Sequence, residues 1–231
     1  RILRLVLRLL NVYAVEKDNF NLVNPPIKNE GKSAYIFNSK SFVFPNGNQF
    51  AFTGSSETHS TISLQSSTEI RQIIDGYSRI AKEGEGHTTD MGLPELPTYT
   101  TFYQLDPHKI YRYELEIVDS YIIDDINIIP HQGVSSKWKV KKISELNSDY
   151  YSSGESYPSQ NLVISDRLSG RGIEMISIQV TPYTYHPSSK KLEVMSQVNI
   201  HIIEDGENPE GYLTQPVKSR IFEQLYKSVI I

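Results

Sequence analysis

The sequence predicts an all-β fold, an antiparallel β-sandwich or open barrel with one or two short helices, and three observations carry the prediction. Short runs of β-branched and aromatic residues, 15 tyrosines among the latter, recur between Pro, Gly, Asn and Asp. From Leu192 the chain alternates, with Leu192, Val194, Ser196, Val198, Ile200 and Ile202 on one face and Glu193, Met195, Gln197, Asn199 and His201 on the other. Finally, 231 residues are enough to enclose a real hydrophobic core.

Taken in chain order, "RILRLVLRLLNVYA" places Arg1, Arg4 and Arg8 among Leu and Val. It reads as a cationic amphipathic helix at a membrane surface, as the remnant of an export signal with Val12 and Ala14 before a cleavage point, or as a first strand or tail. Residues 1–30 are therefore set apart from a single β-rich domain over 31–231. The stretch from Gly31 to Gly86 is richest in Ser, Thr, Asn and Gly, which predicts shorter strands and longer loops. Within it, "SSTEIRQIIDGYSRIAKEG" supports two readings. Ile70, Ile73, Ile74 and Tyr77 have helical spacing behind a Ser66–Glu69 capping box, whereas Asp75–Gly76 suits a hairpin turn.

In "TDMGLPELPTYTTFYQLD", Gly92, Pro94 and Pro97 preset an extended path that leads into a strand. "KIYRYELEIVD" predicts a half-exposed strand with Tyr111, Tyr113, Leu115 and Ile117 opposed to Arg112, Glu114 and Glu116. "GIEMISIQVTP" predicts another, with Ile176, Ile178 and Val180 on one face; "YTYHPSSKK" is expected to be the turn that pairs it with the strand from Leu192. The tail "QPVKSRIFEQLYKSVII" predicts a short helix, with Pro216 in its first turn and Val217, Ile221, Leu225 and Val229 at helical spacing.

Reaction signatures are missing. A net charge of −4 and a pI near 5.9 argue against a nucleic-acid surface. Without cysteine there is no disulfide, thiolate metal site or cysteine nucleophile in the chain. No apolar run reaches the roughly 18 residues of a membrane helix. The six histidines are scattered with no close pair on one element, so each reads as a surface or packing residue, and neither metal nor cofactor is expected. Asp124–Asp125 reads as a solvated pair rather than a calcium site. The glycines of "SGRGIEM" read as a tight turn rather than a phosphate cradle. No nucleophile elbow occurs and no catalytic residue is assigned, which points to a binding or structural module rather than an enzyme. In "SSKWKVKK" four lysines surround Trp138, the only tryptophan. They suit either an exposed edge that discourages aggregation or a loop reaching an acidic pocket on a partner.

Four segments in register resemble the N-terminal propeptide of the gingipain family of caspase-like cysteine peptidases. They are "GLPELP", "INIIPHQGVSSK", "GRGIEMISIQVTPYTYHPSSKKLEVMSQVNIHI" and "RIFEQLYKSVII", and the resemblance covers about Gly76 to the end. It implies an exported pro-domain, in the periplasm, at the cell surface or outside the cell, that inhibits and helps fold the catalytic domain of a cysteine peptidase from the same precursor. It further implies an inhibitory loop, with Pro130, His131, Gln132, Ser136 and Lys137 on matching types and Lys137 as the basic residue entering the specificity pocket. Arg167 and Arg171 are the next candidates. Gly133 stands where the lysine-specific branch has a proline. The alternative is a cell-surface or filament-forming structural or adhesion module that keeps the fold, self-associates and inhibits nothing.

Overall fold

The computed structural model describes residues 42–43, 49–66, 68–74, 76–80, 86–133, 143–170 and 172–212. In its first sheet β1 (Phe42–Val43), β2 (Gln49–Ser55) and β3 (His59–Gln65) form an antiparallel run that continues into β13 (Lys191–Glu207). Two further strands of this sheet, β8 (Lys109–Ile123) and β12 (Tyr183–His186), also pair with β13. The second sheet is built on β7 (Pro97–Leu105) and β11 (Ile173–Val180), with β6 (Gly86–His87) against β7 and both β9 (Leu162–Ile164) and β10 (Leu168–Gly170) against β11. A separate hairpin joins β4 (Ile70–Ile74) to β5 (Tyr77–Ile80).

A strand has only two hydrogen-bonding edges, which fixes how β13 is used. Its partner along nearly the whole length is β8, so β12 and β3 lie end to end on the opposite edge, β12 against 191–194 and β3 against 197–203. The predicted inward face of β13 is buried, with Leu192, Val194, Val198, Ile200 and Ile202 in one cluster with Tyr99, Ile176, Ile178 and Val180 of the second sheet. That shared cluster makes the fold a sandwich. Met195, expected to face outward, is buried. The register slips around Ser196, where Ser66 donates its N–H to Ser196 O at 2.9 Å and its hydroxyl to Met195 O at 2.9 Å, and this bulge turns Met195 inward.

Three other expectations change. Ile173–Val180 is a strand with its predicted buried face, but its partner is β7 rather than the strand from Leu192. "YTYH" is not a turn; Tyr183 and Tyr185 are fully buried and form β12, and the turn is 187–190, where Lys190 N donates to Pro187 O at 3.3 Å. The chain changes sheets at Thr181–Pro182, and Asn161 Nδ2 satisfies the bend by donating to Thr181 O at 2.8 Å and Tyr183 O at 3.0 Å. Ile117, grouped with the half-buried positions of β8, is exposed, as are Val118, Tyr121 and Ile122 after it.

Over the described residues 70–74 and 76–80 the open reading resolves as the β4–β5 hairpin, with Gly76 at φ +78° and Ser66 engaged on β13 rather than capping a helix. The single helix among the described residues is α1 (Ser148–Ser153), started by Asn147 Oδ1 accepting from Tyr150 N at 3.0 Å and stopped by Gly154 at φ +79°. The expected terminal helix from Pro216 and the expected N-terminal segment lie outside the described residues.

Candidate functional site

The two prolines of "TDMGLPELPTYTTFYQLD" act through what they lack. Pro94 and Pro130 face each other in an isolated antiparallel bridge, so neither leaves an N–H unpaired there. The neighbouring residues carry the ladder: Glu95 N donates to Ile129 O at 2.9 Å, His131 N to Leu93 O at 2.7 Å, and Gly92 N to His131 O at 2.9 Å. Pro97, the first residue of β7, pairs with His87 at the strand entrance, the position where a missing donor costs least.

Gly92 sits at φ +73°, and a Cβ there would lie 2.7 Å from Asn147 N, so both conformation and space require glycine. Gly92 O in turn accepts from Asn147 N at 3.1 Å. The segments around 92–95, 129–132 and 144–147 are thereby tied together.

Gln132 completes the tie. Its Nε2 donates to Pro130 O at 3.0 Å and to Glu145 O at 2.7 Å, and its Oε1 accepts from Ser144 N at 2.8 Å and Glu145 N at 3.0 Å. One amide therefore fastens the chain just before residue 134 to the chain just after residue 142. Gly133 adopts φ +78°, a conformation closed to the proline that the resemblance places there. Ser136 and Lys137 lie outside the described residues, as do Trp138 and Arg171.

Pro130 and His131 point into the fold rather than outward. His131 Nδ1 lies 3.2 Å from Glu95 Oε2, and the other carboxylate oxygen faces Arg79 Nε at 2.7 Å. His87, across from His131 with ring centroids 5.2 Å apart, has its pKa lowered mainly by burial; the pull of Glu95 opposes this, and His131 and Arg79 add to it. Two histidine pairs thus form from residues far apart in sequence, the second being His59 Nε2 and His201 Nδ1 at 2.9 Å.

The remaining candidates have structural partners. Asp124 Oδ1 lies 3.2 Å from Lys191 Nζ. Arg167 bonds Glu174 at 2.9 Å, donates to Lys109 O and sits over the Tyr111 ring at 5.9 Å, so its guanidinium is committed to its own sheets. Gly172, at φ +82°, completes the predicted tight turn between β10 and β11. Sequence reading passed over Arg79, Glu95, Ser144 and Asn147. Only Asn147, ahead of Ser148 and Asp149, carried a local signal, that of a helix N-cap.

The fold is similar to a chain of the complex of Porphyromonas gingivalis RgpB pro- and mature domains, with TM-score 0.60, 19% identity and coverage of 81% of this chain and 97% of that one. It is also similar to a structure described as giving insight into zymogenic latency of gingipain K from the same organism, with TM-score 0.54, 16% identity and coverage of 73% and 100%. Among curated proteins, Gingipain R1 of P. gingivalis is 22% identical over 168 residues, 71% of this chain. The chain spans 17% of the length of that relative and 10% of a second Gingipain R1, from strain ATCC 33277, with the same identity. Residues 63–230 match the Propeptide_C25 family along most of the chain. With that match and the all-β pro-domain fold, the chain belongs to the Propeptide_C25 family, the non-catalytic propeptides of gingipain-type peptidases.

Proposed function

We propose that this chain is the inhibitory and chaperone-like pro-domain of a secreted gingipain-like cysteine peptidase, and that Lys137 blocks the peptidase's acidic specificity pocket. The observation that carries this reading is the Gln132 amide, which ties residue 132 to residues 144 and 145 and so fixes the two points between which the basic segment 134–142 runs. Closing a loop in advance lowers the ordering cost of presenting it to a partner. The commitment of Arg167 to Glu174 and Lys109 favours Lys137 over it as the inserted cation. The relative solved as a complex of pro- and mature domains is consistent with such a partner.

The test is inhibition of a lysine- or arginine-specific gingipain-type peptidase by the isolated chain. The Lys137→Ala variant is expected to inhibit more weakly by about 2–5 kcal/mol, the usual consequence of truncating one member of a desolvated charge pair. Equal inhibition by parent and variant removes Lys137 from the role.

A second reading, a self-associating surface or filament module, is favoured by β8. Among the described residues its outer edge pairs with no strand, and Ile117, Val118, Tyr121 and Ile122 are exposed along it. Concentration-dependent polymers on size exclusion support this reading, and a monomer that inhibits a peptidase excludes it.

A further inference from the structure

We infer that His87, Glu95 and His131 form a binding site for a divalent transition-metal ion, of which zinc fits best, at the root of the 134–142 segment. The ligand atoms of the three residues all lie within 4.8 Å of one another. His131 Nδ1 and His87 Nε2 both face the same oxygen, Glu95 Oε2, at 3.2 and 4.0 Å. Tetrahedral zinc with ligands near 2.1 Å sets them about 3.4 Å apart, so the cluster needs only small side-chain adjustments to close on an ion.

The 4.0 Å gap is informative, because it exceeds a hydrogen bond. His131 lies within hydrogen-bonding distance of Glu95 Oε2, and His87 stands somewhat wider than the spacing of zinc ligands, a gap that a small side-chain movement closes. Two imidazoles and one carboxylate are a donor set that zinc takes with a fourth position open to water. His87 is the exposed member, with 45% of its side chain accessible, and provides the entry path. Arg79 Nε lies 2.7 Å from Glu95 Oε1 as an ion contact outside hydrogen-bond alignment, and the carboxylate's second oxygen faces the histidines. Backbone bonds at Glu95 and His131 fix the other two ligands from behind. The three ligands come from β6, from the Gly92–Pro97 arm and from the 129–132 arm, so a bound ion would link β6 to two of the three segments tied together around Gln132.

The other histidine pair serves as the internal control. His59 Nε2 and His201 Nδ1 are within 2.9 Å of each other, but Glu116 approaches the opposite nitrogen, His201 Nε2, at 3.1 Å, so the three do not converge.

The test is titration of the full chain with Zn²⁺ against a chromophoric chelator at neutral pH. One equivalent should bind, with affinity reduced at least about tenfold in His87→Asn and unchanged in His59→Asn. Absence of saturable binding, equal affinity in His87→Asn, or loss in His59→Asn overturns the assignment. A second measurement needs no variant: the Co²⁺-loaded parent should show the intense visible absorption of four- or five-coordinate cobalt. A spectrum identical to aqueous Co²⁺ counts against the site.

Discussion

Gln132 Oε1 accepts a hydrogen bond from Ser144 N at 2.8 Å, joining residues separated by the whole basic segment. The same side chain reaches Glu145 through both of its polar atoms. Gln132→Ala is therefore expected to leave the sandwich folded while freeing the loop root, since the lost bonds lie outside the core. Cleavage between residues 133 and 143 by a nonspecific protease should accelerate, and stability should fall by only about 0.5–1.5 kcal/mol, because the exposed backbone groups at 144 and 145 regain water. Mass spectrometry of timed digests checks the first effect and urea unfolding the second.

Gly92→Ala tests the junction with Asn147. A methyl group there meets backbone at 2.7 Å in a left-handed conformation. Strain alone costs about 1–3 kcal/mol and the clash adds to it. Gly76→Ala has the same backbone strain with no atom within 4 Å, so it should be the milder of the two in denaturant midpoint.

Ile178 and Ile122 offer a contrast between identical residues. Ile178 is 0% exposed in the shared core, and its replacement by Ala is expected to destabilise by about 2–5 kcal/mol. Ile122 is 58% exposed on β8, and Ile122→Ala should shift stability by no more than about 0.5 kcal/mol. Equal effects would mean that the β8 surface is covered in the folded protein.

Alkaline pH should unfold the chain through its buried phenols. Burial raises the pKa of Tyr111 and Tyr157 to about 12, and pushes Tyr150 and Tyr151 higher still. The unfolded chain releases these protons near pH 10 while the folded chain retains them, so more protons are bound in the native state between those values. Stability is complete below pH 10 and declines as pH rises toward 12. Urea midpoints across that range measure the decline, and Tyr157→Phe should reduce its slope; a flat profile refutes the assignment.

The strand from Leu192 was legible because a single buried face imposes a period of two over many residues, a signal that survives a local bulge. Its partner was not. "GIEMISIQV" and "YTYH" alternate equally well, and what separates them into different sheets is the Thr181–Pro182 bend held by Asn161, a residue far back in the chain. Likewise, Gly92, Pro94 and Pro97 announced an extended path, whereas the pairing of Pro94 with Pro130 depends on long-range topology that no local pattern encodes. The histidine cluster escaped for the same reason, since His87, Glu95 and His131 come from three segments. Gln132 drew attention through a resemblance, but its ties to 144 and 145 emerge only in three dimensions.

Because Ile200 pairs with both Ile62 and Leu115, the central strand of the first sheet engages only after β3 and β8 have both been made. The earlier strands β3 and β8 must wait, apolar faces uncovered, for a segment made near the end of the described chain. Such non-local closure slows folding and leaves nascent chains prone to sticking together. A ribosome stalled before Leu192 would hold a product that chaperones should recognise, and release of the last strand should convert it cooperatively to a protease-resistant form.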